Sequence, residues 1–353
     1  MTKKYTRQLA VISVAGLVFG ACTATSGPTA TATQTTAPPA SGGTATEQPA
    51  EPVSLPLQLA PTQGLPALVA EGEGFFDAVG IDAQVSVVEE DVPAFIAGQT
   101  DVASIAAWEV AEFINEGEEM VVFGTAGQPA YFNGVAALAD AGYADITDLV
   151  GGTLGIPGFG SGTWVAFEGF MASQFDIDAR ADFQVVEGSP GVLLGLLETG
   201  ELDGALLFSG QTLAAVGSSD FELIFRFDEE WQKITNEPLS IGTLVARPAW
   251  LEENEDAAAG LTEALSQAVE WMQQNPEEFE VGGRYESAAS DLGWHRDEAT
   301  TRAVLDFLAS GSYYQTQATY TPSYIESTYE FVQVVVEDPP ARDVLFSELL
   351  VSE

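Results

Sequence analysis

The sequence predicts an α/β chain folded into two lobes that are joined by two crossings of the backbone. Short apolar runs alternate with amphipathic stretches from Leu55 onward, the pattern of parallel βαβ units. The alternation comes in two runs that echo one another: Ala97-Gly98-Gln99-Thr100-Asp101-Val102-Ala103 parallels Thr199-Gly200-Glu201-Leu202-Asp203-Gly204-Ala205. In each, a helix ends at a glycine suited to a left-handed cap and an aspartate opens the next strand. With 353 residues, 46% of them hydrophobic, the chain can fill two cores.

The elements follow in order. Residues 1–21 carry Lys3, Lys4 and Arg7 before an apolar run from Leu9 to Gly20. That run is shorter than the about 20 residues that cross a bilayer, and it has the form of a secretory signal. Gly20-Ala21 ahead of Cys22, the only cysteine, resembles a bacterial lipoprotein box, with Phe19 where that box usually has Leu. The resemblance implies cleavage before Cys22 and lipidation of its sulfur; the alternative is an uncleaved anchor with an incidental cysteine. Residues 22–53 are rich in Thr, Ala, Pro, Gly and Ser with no aromatic residue, so they should form a disordered tether. At roughly 3.3 Å per residue the tether reaches on the order of 100 Å when stretched.

In the first run the strands are 55–60, 83–89, 101–106 and 120–125, and the helices 64–76, 91–98 and 108–117. The second run begins near residue 145 with a strand ending at Pro157. It continues with the helix GSGTWVAFEGFMASQF, the strand DFQVVE, the helix SPGVLLGLLETG and the strand LDGALLF. After the strand 222–227 comes another at 240–246, then a helix-rich tail. In the tail a helix over 255–274 places Leu261, Leu265, Ala268 and Met272 on one face. Residues 55–128 plus 240–353 are read as lobe I, 140–226 as lobe II, and 128–140 and 227–240 as the hinge crossings.

Charge and composition exclude several functions. Acidic residues number 53 against 11 basic ones, a net charge of −42; removing the signal leaves a net of −45 with Lys233 as the sole lysine. Such a surface repels phosphate backbones and anionic lipid, so nucleic acid is not an expected partner. One cysteine and one histidine, His295, rule out a disulfide framework and a Cys/His zinc cage, and no metal or cofactor is expected. Acidic runs such as Glu89-Glu90 and Asp228-Glu229-Glu230 read as solvated faces, and His295 as a surface or packing residue.

In open α/β sheets ligands bind beyond the carboxyl ends of strands. The loops there hold Gln63, Trp108, Tyr131 and Ser209, and the segment Gly158-Phe159-Gly160-Ser161-Gly162-Thr163 that opens a helix. Glycines bring backbone N–H groups close to a ligand, and a helix N-terminus favours acceptor atoms, which makes Ser161, Gly162 and Thr163 candidates. No lysine follows, so this is not a P-loop; simple N-capping by Ser161 or Thr163 is the other reading. The aromatic residues near these loops serve either core packing or the stacking of a planar ligand.

The signal and lipobox, the opening QLAPTQGLPALVAEGEGFFDAVGIDAQV, the turn GQTDVA, the segment DLVGGTLGIPGFGSGT and the turn GELDGA together resemble substrate-binding lipoproteins of ABC importers. The branch they resemble binds nitrate, sulfonate, taurine, thiamine pyrimidine or riboflavin, and the resemblance runs from residue 55 to about 275. It implies a type II periplasmic-binding-protein-like fold closing around one small molecule, with Gln63, Trp108, Ser161, Gly162 and Thr163 where the family places contacts. It also implies a monomer without enzymatic activity, anchored outside the cytoplasm through Cys22 and delivering its ligand to a membrane ABC permease. After GELDGA this chain has LFSGQT, without the Asn-Glu-Pro element of close pyrimidine binders. With no lysine or arginine in the candidate loops, an aromatic heterocycle is the expected ligand, riboflavin first and a thiamine pyrimidine second; alkanesulfonate, taurine or nitrate is the alternative. In the expected pose Trp108 stacks on the ring while Gln63, Ser161 and Thr163 hold its polar edge. A remoter alternative is a pyrimidine-forming enzyme, for which Lys233 and His295 would be the candidates.

Overall fold

The computed structural model describes residues 52–88, 91–125, 133–208, 210–236, 239, 242–311, 313–348 and 351. The predicted signal, Cys22 and nearly all of the tether lie outside the described residues.

Lobe I opens with strand β1 (Val53–Leu59), helices α1 (Pro61–Gly72) and α2 (Phe75–Ala78), and strand β2 (Ile81–Val87). Helix α3 (Val92–Ile96), strand β3 (Val102–Ile105), helix α4 (Ala107–Glu116) and strand β4 (Val121–Thr125) follow. Alternate residues of β1, Leu55, Leu57 and Leu59, are buried, as a half-buried strand requires.

Lobe II contains β5 (Gly134–Leu138), β6 (Thr153–Ile156), α5 (Gly162–Phe170), α6 (Ala179–Asp182), β7 (Gln184–Glu187), α7 (Pro190–Glu198), β8 (Gly204–Leu207), α8 (Gly210–Gly217) and β9 (Phe221–Arg226). Its sheet runs β7-β6-β8-β5-β9, with β6 parallel to β7 and β8, and β5 antiparallel to β8 and β9. Helix α9 (Phe227–Thr235) then leads to β10 (Thr243–Ala246), which returns between β3 and β4, antiparallel to both.

The stretch 128–140, expected to be only a crossing, contains β5 in its described part. GVAAL is a short apolar run without alternation; a strand buried on both faces leaves no period to read. The second crossing holds α9, whose Phe227 and Trp231 are buried.

The echoed turns are alike in the structure. Gly98 and Gly200 have φ of +69° and +71°, and in each the following residue closes back on the preceding helix, Gln99 N on Ala94 O and Glu201 N on Leu196 O. Both positions need the left-handed backbone that glycine adopts without strain.

The tail comprises α10 (Pro248–Glu253), α11 (Glu255–Gln274), α12 (Glu286–Asp291), α13 (Glu298–Ala309), α14 (Pro322–Val335) and α15 (Arg342–Leu345). On α11, Leu261, Leu265, Ala268 and Met272 are all buried, and the helix packs on α1. Helix α14 packs against both α4 and α5. The Phe331 ring lies 5.4 Å from Trp108, 5.8 Å from Phe170 and 5.2 Å from Trp231, centroid to centroid. One apolar cluster therefore runs through both lobes along the tail helix.

Candidate functional site

The carboxyl ends of β1 and β3 in lobe I and of β6 in lobe II supply the site. Thr62 and Gln63 lie in the first turn of α1, where Pro61 at the first helical position fixes the start. Both side chains are buried, and Thr62 Oγ1 and Gln63 Oε1 have no partner among the described residues. An unpaired buried acceptor costs about 1–3 kcal/mol, so Gln63 Oε1 calls for an outside donor.

Beside them is Asp91, which opens α3. Its Oδ2 accepts from Ser104 N at 3.2 Å, and the backbone of Ala60 also bonds its carboxyl. Burial raises the Asp91 carboxyl above the usual range in spite of these bonds.

Helix α4 begins without a hydroxyl cap, since its N-cap is Ala106. Glu109 performs part of that duty: its Oε2 accepts from Ala106 N at 3.3 Å. Its other face meets lobe II, where the backbone of Gly162 also bonds the carboxyl, and a methyl group on Gly162 would overlap it. Loss of solvent raises Glu109 to about 7, and the neighbouring charges of Glu112 and Asp91 act in the same direction.

Trp108 is 2% exposed, and its Nε1 donates to Gly162 O at 3.0 Å. Two successive residues of α4 thus clasp one glycine across the lobes. The ring that was expected to stack on a ligand is here packed against Phe331, with its N–H committed.

The GFGSGT loop caps its own helix. Ser161 Oγ accepts from Trp164 N at 3.2 Å and donates to Gly158 O at 3.1 Å. Phe159 N donates to Glu187 Oε2 at 3.4 Å, and Thr163 Oγ1 accepts from Asn133 Nδ2 at 3.4 Å. Ligand-facing donors were expected here; instead the protein's own side chains engage much of the loop.

The structure therefore brings Trp108, Ser161, Gly162 and Thr163 together and places Gln63 at the end of β1. Tyr131 and Ser209 lie outside the described residues. Asp91 and Glu109 were missed by sequence reasoning. An acid in the first turn of a helix preceded by Ala-Ala, with no hydroxyl cap, was the available signal for Glu109.

All eight basic residues after Cys22 are engaged. Seven of them pair with carboxylates, and Arg247 donates to Phe95 O at 2.7 Å. Lys233 is held by Glu230 at 2.5 Å, while the ring nitrogens of His295 bond Ser290 Oγ and Phe279 O, each at 2.7 Å. His295 borders a surface pocket of about 610 Å³ between the tail helices, away from the strand ends.

Two α/β lobes joined by two crossings, with polar loops of both meeting at the N-terminus of α5, define a two-lobed periplasmic-binding-protein fold. The chain belongs to the family described as NMT1/THI5 like, which it matches over residues 62–279. No curated protein matches it. Among solved structures it is similar to the periplasmic aliphatic sulphonate binding protein SsuA of Escherichia coli, with a TM-score of 0.62 and 14% identity over 85% of this chain and 99% of that one. The alkanesulfonate-binding protein SsuA of Xanthomonas axonopodis bound to MOPS gives a TM-score of 0.62 at 12% identity, covering 84% of this chain and 99% of that one. The periplasmic nitrate-binding protein NrtA of Synechocystis gives 0.58 at 14%, covering 80% and 81%. At these identities the likeness establishes the fold.

Proposed function

We propose that the protein is an extracytoplasmic solute receptor of an ABC importer, tethered through a lipid on Cys22, which captures one small molecule between its lobes and presents it to a membrane permease. Family and fold support the receptor role. The ligand is a donor-bearing aromatic heterocycle, riboflavin first and a thiamine pyrimidine second. One observation carries this choice: Gln63 Oε1 is a buried acceptor with no partner among the described residues, the nearby carboxyls of Asp91 and Glu109 add acceptor character although backbone donors already bond them, and every basic residue after Cys22 is held by a carboxylate or a backbone carbonyl. Ring N–H, amino and hydroxyl groups satisfy such a site, whereas a sulfonate or nitrate brings acceptors to acceptors. In this reading Gln63 accepts from the ring's donor edge.

The second reading, an alkanesulfonate, taurine or nitrate, is favoured by the sulfonate- and nitrate-binding proteins among the similar structures and by the helix N-terminus at Gly162. Calorimetric titration of the soluble body with riboflavin, the pyrimidine, taurine and nitrate separates the two. The proposal expects micromolar or tighter binding of a heterocycle; binding of an anion with no heat from either heterocycle overturns it.

A further inference from the structure

We propose that Glu109 is the specificity-determining residue of the cleft: from the first turn of α4 its carboxyl occupies the N-terminus of α5 across the lobes and so keeps small oxyanions out. The inference rests on the receptor reading and adds the residue that sets which charge is admitted.

The N-terminus of a helix attracts negative charge through its free N–H groups and its dipole. In α5 that place is taken by a group of the protein itself. Glu109 lies against Gly162, the first residue of the helix, so closely that glycine is the residue that leaves it room. Trp108 Nε1 holds the carbonyl of the same glycine, which fixes α4 in register with α5. Three further backbone donors of the turn are engaged as well, Phe159 N by Glu187, Ser161 N by Gly158 O and Trp164 N by Ser161. A tethered carboxylate competes with a free anion as an intramolecular ligand and loses little freedom in doing so.

The surroundings strengthen the exclusion. The charges that act on Glu109 are those of Glu112 on its own helix and Asp91 from the start of α3, both acidic. Helix α5 has no acidic residue in its first turn and no basic one in its last. From the tail, α14 brings Tyr324 and Phe331 to this seam, and Arg342 of α15 is held by Glu326 and Glu348. An oxyanion reaching Gly162 must displace one carboxylate and then sit beside two more, and the cation that stacks over this loop on Phe159 and Trp164, Arg180, is already paired with Glu168. Proton uptake by Glu109, whose carboxyl titrates at about 7, removes the nearest of these charges.

The test is the affinity of the soluble body for methanesulfonate and for nitrate at fixed ionic strength, measured at pH 6 and pH 8 for the wild type and Glu109→Gln. The wild type should bind methanesulfonate up to about tenfold more weakly at pH 8 than at pH 6. Glu109→Gln should lose that pH dependence and bind up to about tenfold more tightly than the wild type at pH 8. Equal affinities of the two proteins at pH 8, including no detectable binding by either, overturn the proposal, as does a pH-independent wild type. If the variant does not fold, the wild-type pH profile alone decides. Failure of the heterocycles to bind would bear on the ligand assignment and leave this comparison intact.

Discussion

Glu109→Gln should also change how stability depends on pH. Its carboxyl has a reference value of 4.5 and is raised to about 7 in the folded protein. Between those values the folded state binds a proton that the unfolded state has already released. Stability is therefore fully present below pH 4.5 and is lost as pH rises through about 7. Each unit is worth about 1.4 kcal/mol, so the shift amounts to at most about 3 kcal/mol, less whatever the partly accessible carboxyl recovers from solvent. Glutamine keeps the shape and the oxygen that faces Ala106 N but carries no charge. The variant should thus match the neutral-glutamate protein at pH 4.5 and gain on the wild type by up to about 3 kcal/mol at pH 8. Asp91 and Glu112 are raised too and remain in both proteins, so the difference between the two unfolding curves reports Glu109 together with its coupling to these two neighbours. The assay is urea unfolding at 1 M sodium chloride from pH 4.5 to pH 8. A wild-type-minus-variant difference that stays constant across that range refutes the reasoning.

Three further outcomes follow, one from the structure and two from the sequence. Phe331→Ala, which empties the apolar cluster shared by α4, α5 and α14, should cost roughly 3–5 kcal/mol in denaturant unfolding; a loss below about 1 kcal/mol would show that the seam collapses freely. Stability should rise with salt, because self-repulsion in a chain of net charge −45 after signal removal is screened as the Debye length falls from about 30 Å at 0.01 M to about 8 Å at 0.15 M; a flat melting temperature from 10 mM to 1 M sodium chloride contradicts this. Cys22→Ser should move the protein from the membrane to the soluble fraction, and continued tight membrane association of the variant would remove the lipid anchor from the account.

Much of the architecture was legible because glycines and periodicity mark it. The turns at Gly98 and Gly200 stand out since both require positive φ, and α11 was readable from Leu261, Leu265, Ala268 and Met272. Strand β5 was hidden because all but the last residue of GVAAL is buried, so no alternation survives. The role of α14 was hidden for another reason: its apolar face is evident, but a sequence does not say that Phe331 meets Trp108 and Phe170 at once. The site was legible in its loops and less so in its chemistry. Trp108 reads as a stacking face until the tail helix covers it, and Glu109 reads as one more acid on a −42 chain until Gly162 is brought against it.

The most direct measurement is native mass spectrometry of the lipid-free body purified from its own host, followed by release and identification of whatever remains bound. A receptor whose first strand end presents Gln63 Oε1 as a buried acceptor unpaired among the described residues should retain a donor-bearing heterocycle at one molecule per chain. A retained sulfonate or nitrate at that stoichiometry would contradict the account.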